Sequence, residues 1–217
     1  MHSREDALVG ASIDSSLGAS VRLDSAASQL FKDKSVLVCI TGGIAAYKAA
    51  TIVSALAQAH AKVYVAMTPA ACRFIAPLTL QALSANPVFT SPWEHVDAMD
   101  PQHISLASRI DGAVVAPCSM DALARLASGR ADDIVSLLLS AVDRKVTPVL
   151  LAPAMNEIMW SQPSTRRNVQ TLHGDGFKFV EPGVGWQACR AIGAGRMAEP
   201  EQIIRALASA LVQPRTA

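Results

Sequence analysis

Charged side chains are scarce in this sequence: Asp, Glu, Lys and Arg make up 17% of its 217 residues, and 19 Lys and Arg against 18 Asp and Glu leave a formal net charge of +1. No run of Lys or Arg occurs, so the electrostatic footprint that grips a phosphate backbone or an anionic membrane is missing. Nucleic acid and membrane are therefore not expected as partners. The four cysteines, Cys39, Cys72, Cys118 and Cys189, contain no CxxC pair, which removes the usual metal-site spacing. A chain of this size does not need a disulfide framework. Long apolar runs are also absent, each being interrupted short of the roughly 18 to 20 residues a membrane helix requires. The opening MHSREDALVG mixes charges and leads into no compact apolar region with a cleavage site, so no secretory signal is expected and the protein is placed in a reducing cytoplasm. What is abundant is apolar material, 51% of the chain, enough for the core of one domain but not of two large ones.

Residues 1–34, rich in Ser, Ala and Asp, read as a flexible tail or a marginal helix outside the main fold, and 35–217 as the domain. SVLVCI (35–40) is a β-branched run, TGG breaks it, and IAAYKAATIVSALAQAHA has helical composition. KVYVAMT (62–68) repeats the strand, and 70–84 is helical material interrupted by Pro77. A short helix over 103–110, a strand over 112–118, a helix ending at Gly129 and a strand over 147–155 follow. The Gly- and Pro-rich stretch 180–200 reads as an ordered functional loop, and 201–212 as a closing amphipathic helix. Continuous apolar strands alternating with helices predict a three-layer α/β fold, a parallel sheet with helices on both faces.

Ligands of such sheets bind beyond the carboxyl ends of the strands. Three segments should meet there. Thr41-Gly42-Gly43-Ile44 offers close backbone approach and the free N–H groups of a helix start, which favour an anion. Its spacing is neither GxGxxG nor GxxxxGK[ST], and two glycines are equally consistent with turn chemistry alone. APCSMD (116–121) and APAMNEIMW (152–160) each end a strand in Ala-Pro and suggest two walls of one pocket, although Asn156 also suits an Asx turn. His103 begins a helix, where a neutral imidazole suits a base, but it is also an ordinary helix-start residue.

Taken together, TGGIAAYK, FIAPLTLQALS, HISLA, APAMNEIMW and ACRAIGAGRMAEP resemble the flavin-containing cysteine decarboxylases, and most of all those acting on phosphopantothenoylcysteine in coenzyme A synthesis. The resemblance spans roughly residues 34–212. It implies an α/β, three-layer Rossmann-like (flavodoxin-like) flavoprotein that binds FMN and assembles as a homotrimer or a dodecamer of trimers. It implies that Gly42, Gly43 and Ile44 receive the FMN phosphate, that Thr68 and Phe74 lie along the flavin, and that Pro117, Cys118 and Ser119 form part of its cradle. It further implies that His103 is the base, that Asn156 holds the substrate carboxylate, that Met155 lines the pocket, and that Cys189 sits on a loop over the substrate with Arg190 beside it.

The implied reaction suits these residue types. A simple cysteine carboxylate cannot lose CO₂ until an electron sink exists, and oxidation by flavin to a thioaldehyde creates one, leaving an enethiol. Free cysteine is only about 3% thiolate at neutral pH, so a positioned base raises the reactive fraction. A loop cysteine then allows the enethiol to be reduced to a saturated product. The alternatives implied are a peptide ending in cysteine as substrate, in aminovinyl-cysteine natural-product synthesis, and a non-catalytic flavin-binding regulatory protein. Two departures bear on the choice: Asp121 stands where an amide is usual, and Arg190 where Gly is usual.

Overall fold

Six short parallel strands set the architecture, the central β-branched and apolar ones buried and the two-residue edge strands half-buried. The computed structural model describes residues 21, 23, 25–94 and 102–212. In chain order these contain α1 (Ser25–Phe31), β1 (Ser35–Ile40), α2 (Lys48–Gln58), β2 (Lys62–Met67), α3 (Pro77–Ser84), β3 (Val88–Phe89), α4 (Gln102–Arg109) and β4 (Gly112–Cys118). There follow α5 (Met120–Ala127), α6 (Ile134–Ser140), β5 (Val149–Pro153), α7 (Glu157–Ser161), α8 (Pro163–Gly174), β6 (Lys178–Phe179), β7 (Gly183–Trp186), β8 (Ile192–Arg196) and α9 (Pro200–Val212). The main sheet has the order β3-β2-β1-β4-β5-β6, all parallel. The chain reverses its direction of winding between β1 and β4, which is where doubly wound sheets open a crevice.

Strand pleating divides the core. Val36, Val38 and Ile40 point to one face, with Ile52 and Leu56 of α2 and Ile203 and Leu207 of α9. Leu37 and Cys39 point to the other, with Leu123 of α5, Leu138 of α6 and Leu172 of α8. The expected three layers are therefore present. Pro77 stands at the first turn of α3, where its missing N–H costs nothing, and a 3-10 turn at Ala71–Arg73 precedes it. Gly129 follows α5 with φ +68, the C-terminal position the sequence suggested.

Two expectations change. α1 falls within the stretch read as a tail, yet it packs against α9 and α2, and Phe31 is fully buried in the core. The packed structure thus includes residues before 35, while the rest of the expected tail lies largely outside the described residues. The stretch 180–200 is not a loop throughout: β7 and β8 pair antiparallel as a two-stranded hairpin. Its glycines hide the strand signal, because glycine has low strand propensity and supplies no alternating side chain. Among the described residues, no helix is long and apolar enough to cross a membrane.

Candidate functional site

Hydrogen bonds stitch the carboxyl ends of the strands into one rim. Thr41, buried after β1, donates through its hydroxyl to the Pro117 carbonyl at 2.8 Å and accepts from the Ser119 N–H at 2.9 Å. The Thr68 N–H reaches the Ile40 carbonyl at 3.0 Å, and the Ala154 N–H reaches the Cys118 carbonyl at 3.0 Å. Four loops are thereby held at one edge.

Two cavities open there. The larger, about 510 Å³, lies among Gly42, Gly43, Ser119, Met155, Asn156 and Cys189, with Ile44 also in its wall. A cavity of about 500 Å³ adjoins it and shares Gly42 and Ser119, with Thr68 in its wall. Either volume suits a small-molecule site.

The loop after β1 is shaped by Gly42. A Cβ there would lie 2.5 Å from the Ala70 Cβ, so only glycine lets the two loops close up. At Gly43 an added Cβ would meet nothing within 4 Å, so its Cα faces open space. A 3-10 turn at Ile44–Tyr47 leads into α2, and its first hydrogen bond runs from the Ala46 N–H to the Gly43 carbonyl, so the N–H groups before Ala46 have no partner within that turn.

Asn156 caps α7: its Oδ1 accepts the Met159 N–H at 2.8 Å. The Asx-type role is therefore real, and it also orients the amide, because an oxygen committed to the helix leaves the NH₂ as the group on offer. The Met155 N–H donates to the Gly195 carbonyl at 2.9 Å, docking the hairpin against this turn. That approach depends on glycine, since Gly195 has φ +105 and a Cβ there would sit 2.5 Å from the Met155 carbonyl oxygen.

Cys189 is exposed at the hairpin tip and its Sγ lies 3.6 Å from Gln187 Oε1. Arg190 takes φ +64 despite its side chain, a left-handed conformation that costs a non-glycine residue about 1–2 kcal/mol. It lines neither cavity.

Several expected residues are not brought into the cavities. The Cys118 side chain is buried in the core on the far side of the pleat, and burial pushes its thiol well above the usual range. Burial, with smaller effects of Asp133 and Cys118, does the same to Cys39. Pro117 contributes a carbonyl to the rim through Thr41 but lines neither cavity. His103 is half-buried in the first turn of α4, and Phe74 is 51% exposed; neither lines either of these two cavities.

Apart from Asp121, the charged residues around the two cavities were not flagged by the sequence. Lys48 and Arg196 both reach the wall of the larger cavity and share the Glu199 carboxylate, at 2.8 and 2.7 Å. In the adjoining cavity Arg125 gathers Asp121, Asp132 and Asp133. Its Nε lies 3.2 Å from Asp133 but without hydrogen-bond geometry, so that contact is an ion pair alone. Hydrogen bonds from Arg125 and then Arg130 hold the Asp132 carboxyl below the usual carboxylate range. The i, i+4 spacing of Asp121 and Arg125 was the available signal for this cluster.

The Flavoprotein family matches residues 24–212. The chain is 42% identical over 176 residues to the coenzyme A biosynthesis bifunctional protein CoaBC of Bacillus subtilis, a match that covers 81% of this chain and 43% of that protein. It thus spans less than half the length of that curated relative. Among solved structures, the FMN binding protein AtHal3 is 30% identical with a TM-score of 0.71, over 81% of this chain and 95% of that one. A PPC decarboxylase mutant complexed with pantothenoylaminoethenethiol is 28% identical with a TM-score of 0.72, over 81% of this chain and 96% of that one. The matched stretch takes in the whole parallel sheet, the rim loops and the hairpin, and the chain belongs to the Flavoprotein family.

Proposed function

We propose that this chain is an FMN-dependent decarboxylase acting on a terminal-type cysteine, with phosphopantothenoylcysteine as its substrate. The observation that carries the reading is the meeting of Gly43, Asn156 and Cys189 on one cavity at the sheet's reversal point. AtHal3 and CoaBC, similar over most of this chain, bear names that fit it.

The residues present suit FMN. Open space beside Gly43, the N–H groups of Gly43 and Ile44 that the 3-10 turn leaves unused, and the Ser119 hydroxyl form a neutral, hydrogen-bonding cradle, and Met155 adds an apolar wall. Thr68, on the adjoining cavity, extends the same lining. FMN bound there would supply a two-electron oxidant that creates the electron sink for loss of CO₂ and, once reduced, the two electrons needed to return the product to its saturated form. The Asn156 NH₂ holds the substrate carboxylate, its direction set by the bond to Met159. Cys189 presents a thiol from the hairpin tip as the proton donor when the product is returned to its saturated form. Arg190, next to it and exposed, is available to an anionic part of the substrate.

His103 as base and Phe74 beside the flavin belong to the proposal through assembly. Ile44, Tyr47, Phe74 and Leu78 are large hydrophobics 51–72% exposed, and a homotrimer, or a dodecamer of trimers, covers them and brings groups of one copy to the rim of another. Light scattering checks the mass.

The test is the absorption spectrum of the freshly purified chain, followed by anaerobic addition of phosphopantothenoylcysteine or a peptide ending in cysteine. A flavin spectrum, bleaching with the first compound and a product lighter by CO₂ are expected. Bleaching with the peptide alone selects the peptide reading, and a colourless protein that takes up no FMN refutes both.

A further inference from the structure

Gln187 is buried even though it touches the larger cavity. Its side-chain amide joins three separate pieces of the site. Nε2 donates to the carbonyls of Gly193 and Ala194 in β8, at 3.3 and 2.7 Å. Oε1 accepts from the backbone N–H of Glu157, the first residue of α7, at 3.3 Å, and from Cys189 Sγ at 3.6 Å. An amide has two donor hydrogens and an oxygen with two lone pairs, and all four are in use.

The orientation is not interchangeable. Two carbonyls require the NH₂, and the Glu157 N–H requires the oxygen. Turning the amide over would set oxygen against oxygen and N–H against N–H, a poor arrangement for a buried group. The atom facing Cys189 is therefore an acceptor, so the sulfur must act as donor. Glu157 directly follows Asn156, whose own Oδ1 caps the same turn. One oxygen of Gln187 thus fixes the distance between the helix start that carries Asn156 and the thiol of Cys189. A leucine or methionine would fill the volume and make none of these bonds.

Resting on the proposed function, we infer that Gln187 is a positioning residue: it sets the Cys189 S–H in place relative to Asn156 for the step that returns a saturated product, and it contributes far less to loss of CO₂.

Two measurements test this in the full chain. Without substrate, the S–H stretch assigned to Cys189 by difference from Cys189→Ser should move to higher frequency in Gln187→Met as its hydrogen bond is lost; an unmoved band overturns the contact. With FMN and phosphopantothenoylcysteine, Gln187→Met should lower the ratio of saturated product to enethiol about tenfold, the scale on which one hydrogen bond appears in a rate, and more than it lowers CO₂ release. The double variant Gln187→Met with Cys189→Ser should show the ratio of Cys189→Ser alone, because a residue acting through the thiol has nothing further to lose. A further drop in the double variant, or parallel loss of CO₂ and ratio in the single one, makes Gln187 merely structural. Should Gln187→Met fail to fold, Gln187→Asn, one methylene too short, is expected to give the same drop in ratio. Cys189→Ser accumulating enethiol while Gln187→Met does not refutes this inference alone; absence of CO₂ release by the parent chain refutes the proposed function itself.

Discussion

A single methyl group placed at Gly42 and, separately, at Gly43 distinguishes a glycine required by packing from one that leaves room for a ligand. At Gly42 the new Cβ would lie 2.5 Å from the Ala70 Cβ and 3.3 Å from the Ala70 carbonyl carbon. The first contact is well inside van der Waals distance, so the loop after β2 must move away from the rim. Overpacking of this kind costs about 1–3 kcal/mol, and at about 2–4 °C per kcal/mol for a domain of this size the Gly42→Ala variant should melt about 2–12 °C lower. Adding Ala70→Gly removes the worst contact but not the approach to backbone, so it should restore part of that loss. At Gly43 nothing lies within 4 Å, and its φ of 175 is extended backbone open to any residue. Gly43→Ala should keep its melting point within about 1–2 °C, as a substitution worth under about 0.5 kcal/mol does, while its flavin content falls because the methyl occupies the proposed cradle. Thermal melts of the flavin-free chains and visible absorbance after FMN loading read the two effects apart. Equal destabilisation by both variants would refute the packing argument, and full flavin retention by Gly43→Ala would refute the cradle.

Asn156→Asp keeps an oxygen for the Met159 N–H and so should preserve stability, whereas Asn156→Ala should cost about 1 kcal/mol by loss of the cap. The aspartate variant nevertheless replaces a donor with an anion facing the substrate carboxylate, and decarboxylation should fall on the order of a hundredfold; retained turnover would remove Asn156 from the site. Phe31→Ala should cost about 3–5 kcal/mol in chemical denaturation, since the ring is fully buried, and a change under about 1 kcal/mol would show that α1 is dispensable. Asp132, held low by Arg125 and Arg130, contributes stability that is present above the unfolded carboxylate value of about 3.9 and is lost as pH falls below it. The stability gap between the parent and Asp132→Asn should therefore be constant near neutral pH and close in acid; a gap that widens in acid contradicts that sign.

Local chemistry made much of this protein readable from its residues alone. The β-branched runs at 35–40 and 62–67, the break at TGG, the apolar stripe of α9 and Gly129 after α5 each depend on neighbours within a few positions, so periodicity and turn chemistry report them. The segments carrying Gly42, Ser119, Asn156 and Cys189 could be picked out for the same reason: each is a short break in such a pattern. What only the tertiary structure decided depends on partners distant in sequence. α1 is worth forming because Phe31 is buried by α2 and α9, and the hairpin of β7 and β8, glycine-rich, is held by pairing and by the amide of Gln187. Cys118 and Ser119 are adjacent in the chain, yet the pleat sends one side chain into the core while the next residue opens to the cavity. His103 and Phe74 line neither of the two described cavities, because a residue's place at the sheet edge does not state which wall it faces. Side-chain direction and long-range partnership are properties of the packed backbone, and a linear pattern carries them only where the packing happens to be local.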